Sequence, residues 1–183
     1  MPDSETYVTP KVAQPYWAKH AYEVLVETAG RYNAVITYSD FAEEVQRRSS
    51  LHTRSPMHNW VGALLGDLAK VNHAREEPPL TSLVVRKDDG RVGPGYDEVL
   101  RLAGRSPIDD PVERENHAAA SRLECYRHWG ADVPADAQPT LSSRMRQVRE
   151  RTPRASVAPE RRGAVCPTCF MEMPVSGPCV NCD

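Results

Sequence analysis

Long apolar runs are missing from this chain of 183 residues, and so is the basic start and apolar stretch of a signal peptide: the first residues, MPDSETYVTPKVAQP, carry acids and prolines instead. The first absence predicts no membrane span, the second no secretion, and together they imply a reducing cytoplasm in which disulfides do not form. Large aliphatics are sparse, prolines number sixteen and mean hydropathy is −0.57, which fits a soluble protein with substantial linker content. Cysteine is almost absent from the body of the chain. Cys125 stands alone there, while the other four crowd into CPTCFMEMPVSGPCVNC, residues 166–182. No internal repeat is present. The length favours one domain of ordinary core size plus a small appendage.

Charge is unevenly placed. Residues 1–140 hold 16 basic and 21 acidic side chains, whereas 141–163 hold seven arginines (Arg144, Arg146, Arg149, Arg151, Arg154, Arg161 and Arg162) against two glutamates. A basic strip thus joins an acidic body to the cysteine tail. It either tracks phosphates or simply keeps a linker solvated.

Periodicity divides the body. PYWAKHAYEVLVETAG, with Pro15 first and Gly30 last, predicts a helix over 15–29 that buries Trp17, Ala21, Leu25 and Thr28. Thr37 is placed to cap a second helix, with Asp40 three residues on and Phe41, Ala42 and Val45 as its buried stripe. A third helix should open at Ser55-Pro56 and run to about 72, burying Trp60, Val61, Leu64, Leu65 and Leu68 while His58, Asn59, Gly62, Asp67 and Lys70 face outward. After EEPP, the β-branched LTSLVV reads as a strand, and RKDDGRVGPGY as the hairpin or loop that follows it. A short helix ending at Gly104 and a longer one from Pro111 to Gly130 complete the body. Beyond it the apolar period fails, apart from a possible helical turn within 142–150.

Three helices, a strand and a glycine-rich loop is the order of a winged helix-turn-helix. The expected fold is therefore mainly α with a small β component: a flexible N-terminus (1–14), a winged-helix-like domain with a C-terminal helix (15–130), a flexible arginine-rich linker (131–163) and a zinc ribbon (164–183). Such a domain serves in DNA binding, in protein docking or as plain scaffold. If it binds duplex DNA, the polar and basic groups near the third helix and wing are Arg47, Arg48, Arg54, His58, Asn59, Lys70, Arg86, Lys87 and Arg91. His58 and Asn59 are the candidates for base contact. The acidic balance of residues 1–140 counts against tight binding.

CPTC and CVNC each set two sulfurs two residues apart, so that one turn presents both to a single ion, and nine residues bring the second pair back. Cys166, Cys169, Cys179 and Cys182 make the tetrahedral thiolate set of a structural Zn²⁺; an iron centre uses the same ligands. Four protein ligands leave no position for water, so the ion organises rather than catalyses. A segment this short cannot bury enough surface to fold alone, and metal binding contributes about 10–16 kcal/mol of apparent folding free energy in small fingers. The ribbon is poor in base, which favours a protein partner through Phe170, Met171 and Met173; the alternative is that these cover the metal site. Cys125 reads as a packed small residue.

Thr37-Tyr38, Val61-Gly62-Ala63-Leu64, Pro79-Leu80, Val84-Val85, Asp89-Gly90, Gly93 and Gly95 occur in an order that resembles the DNA-binding domain of alkylguanine DNA alkyltransferases and their non-catalytic alkyltransferase-like relatives, over about residues 15–104. The resemblance implies a winged helix and a tyrosine, Tyr38, that presses on a phosphate; a half-buried tyrosine closing a helix start fits the same position. It does not carry catalysis over, because the family's reactive cysteine falls near Thr81 and its histidine near Ser82, and a threonine hydroxyl without a base is a poor nucleophile. Glu77 and Pro78 replace the family's asparagine, which puts nucleotide flipping in doubt. PPLTSLVV and ECYRHW are also similar to segments of small bacterial and phage proteins, without implying an activity. The expected function is a non-enzymatic DNA-binding protein; the alternatives are an adaptor docking on a nucleic-acid-processing complex and, last, an enzyme acting on damaged DNA.

Overall fold

The computed structural model describes residues 6–143 together with 145 and 146, all within the unit Met1–Arg149. The four cysteines of the tail and most of the arginine segment lie outside the described residues. The described chain is mainly helical with a small sheet component: β1 (Thr6–Tyr7), α1 (Pro10–Ala29), β2 (Ile36–Thr37), α2 (Tyr38–Ser49), β3 (Leu51–His52), α3 (Val61–Ala74), β4 (Val84–Val85), α4 (Asp97–Leu102) and α5 (Pro111–His128). Single 3₁₀ turns cover Met57–Asn59, Leu80–Leu83 and Pro94–Tyr96. None of the described helices is long and apolar enough to cross a membrane.

α1 begins five residues before the expected start. Thr9 is extended, Pro10 occupies the first turn, and Pro15 falls inside the helix, where it forfeits one backbone bond. That forfeit is offset by the buried stripe Ala13, Trp17, Ala21 and Leu25, each fully buried. The segment before it is not free either: Thr6 and Tyr7 pair in parallel with Leu51 and His52, so the expectation of a flexible 1–14 fails for 6–14.

α2 starts as its sequence predicts. The Thr37 side chain accepts a hydrogen bond from the Asp40 amide at 3.2 Å, and Phe41, Ala42 and Val45 are buried. The third helix opens later than Ser55-Pro56. Met57–Asn59 forms a 3₁₀ turn, Trp60 breaks the helical path at φ −138°, and the α-helix proper begins at Val61. The break lets Trp60 lie against Trp17, with ring centroids 4.3 Å apart, a contact that a continuous helix would redirect. The expected apolar face of α3 is buried throughout.

LTSLVV is a strand only at its end. Leu80, Thr81, Ser82 and Leu83 turn in a 3₁₀ helix wedged among α1, α3 and α5, and all four are buried. Val84–Val85 then pairs in parallel with Ile36–Thr37, not with a hairpin partner downstream. The turn after it closes on itself: the Arg86 amide donates to the Arg91 carbonyl at 2.8 Å and the Gly90 amide to the Arg86 carbonyl at 3.0 Å, with Gly90 at φ 71°.

α5 starts at Pro111 as predicted and ends at His128, two residues before the expected Gly130. Asp110 caps it through the amides of Val112 and Glu113, and its Tyr126 hydroxyl donates to the Ala34 carbonyl at 2.7 Å. The chain beyond Gly130 was expected to be linker, yet its first part is docked. Ala131 and Val133 pack on the core, Thr140 donates to the Asn33 side chain, Ser142 donates to the Gly90 carbonyl at 2.6 Å, and Met145 is 2% exposed. The short helical turn lies where the sequence allows it, with the Arg146 amide on the Ser142 carbonyl.

Candidate functional site

Three separated stretches meet around one cleft of about 310 Å³: Tyr38 at the start of α2, residues 57–69 at the front of α3, and residues 81–96 on either side of β4. Each is placed by local chemistry. The Thr37 cap sets Tyr38 at the first turn of α2, where its hydroxyl oxygen accepts from the Gly93 amide at 3.3 Å. Glycine is required at that approach, because a Cβ on residue 93 would come within 2.7 Å of the Tyr38 oxygen. Burial raises the Tyr38 phenol above its ordinary pKa, with the Gly93 hydrogen bond opposing. Tyr96 forms the back of the same wall, and burial pushes its phenol to about 12.

Thr81 stands in this wall at the position that the resemblance gives to a reactive cysteine. It is 8% exposed, and its hydroxyl has no hydrogen-bond partner among the described residues. Among the described residues no base hydrogen-bonds to it, and an unassisted threonine hydroxyl is a weak nucleophile. Cys125 lies behind, its thiol 3.8 Å from the Ser82 hydroxyl, and burial pushes that thiol up to about 12. It is an inert, packed cysteine, as its sequence context implies.

The cleft walls are held from behind by a buried ion pair. Glu115 and Arg122, two turns apart on α5, are 0% and 2% exposed and bond directly to each other. Arg122 also donates to the Ser82 carbonyl at 3.1 Å, and Glu115 accepts the Val92 amide at 2.9 Å. One pair thus fixes the backbone beside Thr81 and beside Gly93. Sequence reading missed it: the seven-residue spacing of Glu115 and Arg122 was visible, but nothing local marks a charge pair as buried.

Of the residues expected to face DNA, Tyr38, His58 and Arg86 line the cleft. His58 and Asn59 are exposed, but they sit on the 3₁₀ turn before α3 and not on the helix itself. Arg47 bonds Glu44 at 2.7 Å, and Arg48 bridges Glu44 and Glu27, each at 2.7 Å. Lys70 pairs with Asp67 at 3.0 Å, Arg86 with Asp88 at 2.7 Å, and Arg91 approaches Asp89 at 3.8 Å. Arg54 stacks over the Tyr7 ring, 5.2 Å from its centroid. Lys87 is exposed and has no ion pair among the described residues. Five of the seven proposed cations are therefore already matched to carboxylates.

Among the described residues no group of three or more His, Cys, Asp or Glu side chains is disposed to hold a metal ion. Cys166, Cys169, Cys179 and Cys182 lie outside them. No protein-family model matches this chain, and no curated protein or solved structure is similar to it.

Proposed function

We propose that this chain is a non-enzymatic duplex-DNA-binding protein, in which α2, α3 and the 86–96 loop act as a winged helix, the arginines of 144–162 supply phosphate contacts, and the cysteine tail forms a zinc ribbon. The observation that carries the reading is the cleft itself. Tyr38, His58 and Arg86 converge at its lining, with an unpartnered Thr81 hydroxyl inside and Lys87 exposed on the adjoining turn. Polar groups so placed suit phosphate and base-edge contact, with affinity falling steeply as salt rises. Electrophoretic mobility shift with mixed duplex DNA at two salt concentrations tests this; absence of a shift at low salt ends it.

A protein-docking adaptor is favoured by a different observation, the internal pairing of Arg47, Arg48, Lys70, Arg86 and Arg91, which leaves little free charge for phosphates. Affinity capture that returns one stoichiometric partner after nuclease treatment supports that reading against the first. Both readings keep the ribbon. Elemental analysis of reduced protein should find one zinc per chain, and changing both Cys179 and Cys182 to serine should abolish it; one iron per chain would instead assign the same ligands to an iron centre.

A further inference from the structure

A second cleft, of about 440 Å³, opens between the C-terminal half of α3, the end of α4 and α5. That volume is typical of a small-molecule site. Apolar side chains, among them Ala69, Val99 and Ala120, make up much of its lining, and three of its polar groups, Arg105, His117 and Ser121, belong to one hydrogen-bonded chain with a fixed direction.

The direction follows from which groups can donate. Arg105 bonds the Nε2 of His117 at 2.9 Å, and a guanidinium only donates. Nε2 is therefore the acceptor, and the imidazole is neutral with its proton on Nδ1. Burial first, and then the Arg105 charge, hold His117 below its ordinary pKa, in agreement with the neutral ring. Nδ1–H then donates to the Tyr96 oxygen at 2.9 Å, which frees the Tyr96 proton to donate to the Ser121 hydroxyl oxygen at 2.8 Å. Ser121, 6% exposed, is left with one hydroxyl proton and no acceptor for it among the described residues. A buried donor in that state favours an incoming acceptor.

Charge narrows the ligand further. The cleft is lined by one cation, Arg105, and two acids, Glu77 and Glu124. Glu77 is already matched by the Tyr22 hydroxyl at 3.0 Å, the Asn72 amide at 3.0 Å and the Arg75 guanidinium at 3.9 Å, whereas Glu124 is exposed, one turn beyond Ser121 on the same helix. With Glu77 so paired, one cation and one acid are left at the cleft, Arg105 and Glu124: a simple anion would leave Glu124 unmatched, and a simple cation would leave the Arg105 and Ser121 donors unanswered. A zwitterion answers both. We propose that this cleft binds a small apolar α-amino acid, with its carboxylate on the Arg105 guanidinium and the Ser121 hydroxyl, its ammonium toward Glu124, and its side chain along Ala69, Val99 and Ala120. The inference is independent of whether the protein binds DNA.

Isothermal titration calorimetry of the full chain with L-leucine and L-phenylalanine tests the assignment. Saturable binding of at least one is expected, weakened tenfold or more by Arg105→Gln and by Ser121→Ala. The analogue 4-methylpentanoate, which lacks the ammonium, should bind at least tenfold more weakly than L-leucine, and Glu124→Gln should erase that difference. Arg105 and Glu124 are surface residues, so their variants keep the fold and decide the matter even if Ser121→Ala does not. Absence of saturable binding by either amino acid, or affinity unchanged in Arg105→Gln, overturns the proposal.

Discussion

The side chain on which most depends at the smallest scale is Glu115, since a fully buried carboxylate survives only when its partners are complete. Replacing it with alanine strands the Arg122 guanidinium in the core and unseats the Val92 amide. Such a loss costs about 3–5 kcal/mol, read as a fall in the urea midpoint. Combining Glu115→Leu with Arg122→Met removes both charges and should recover at least half of that loss, because apolar residues of similar volume often replace buried pairs without penalty. A second residue sets the behaviour in acid. Arg47 and Arg48 hold the Glu44 carboxyl at about 2, against an ordinary value of 4.5. Its contribution is therefore complete above about 4.5 and is lost as pH falls toward 2. Glu44→Gln should flatten the acid limb of the stability profile in that window, by about 1 kcal/mol or less because the pair is partly solvated. Equal acid limbs for variant and parent would refute the assignment.

At the scale of elements, the loop after β4 meets α2 through a single close approach. Gly93→Ala places a methyl against the Tyr38 oxygen, forces the ring out and breaks the hydrogen bond that this oxygen accepts from the residue 93 amide. Overpacking of this kind costs about 1–3 kcal/mol, and the change in Tyr38 environment should appear in near-ultraviolet circular dichroism. An unaltered spectrum and midpoint would mean that the loop yields instead. Elements also divide by how far they could be read from sequence. The α2 cap was legible because Thr37 and Asp40 are three residues apart, and α5 because Pro111 and Gly130 bracket it. The parallel pairing of Ile36–Thr37 with Val84–Val85 was not, since two-residue strands carry no period and their register depends on α2 and α3 lying between them. The start of α1 was misplaced for a related reason: two prolines both suit a first turn, and only tertiary burial of Ala13 selects the earlier one. Of the cleft, Tyr38, His58 and Arg86 were named in advance, while Thr81 was noted only as an inactive substitution. The internal pairing of the other cations arises from side chains that converge after folding.

For the molecule as a whole, the first residues beyond α5 belong to the packed body: Ala131 and Val133 lie on the core, Ser142 is bonded to the Gly90 carbonyl and Met145 is buried. Met145→Ala should cost about 2–5 kcal/mol, as for other buried methionines, a value that a residue in a free linker would not approach. A chain ending at residue 130 should show the same loss together with faster amide exchange at Gly90 and Arg91. If that truncated chain were as stable as the parent, the docking would have no energetic weight.

The bond between Ser142 and Gly90 joins residues 52 positions apart, and so it has a consequence for the order in which the protein is made. A ribosome delivers Gly90 long before Ser142, so a nascent chain that already has its first three helices can close this turn through Arg86 and Arg91, but its Gly90 carbonyl gains the Ser142 bond only when α5 and the stretch behind it emerge. The last part of the body to leave the ribosome is therefore the part that finishes the turn next to the cleft.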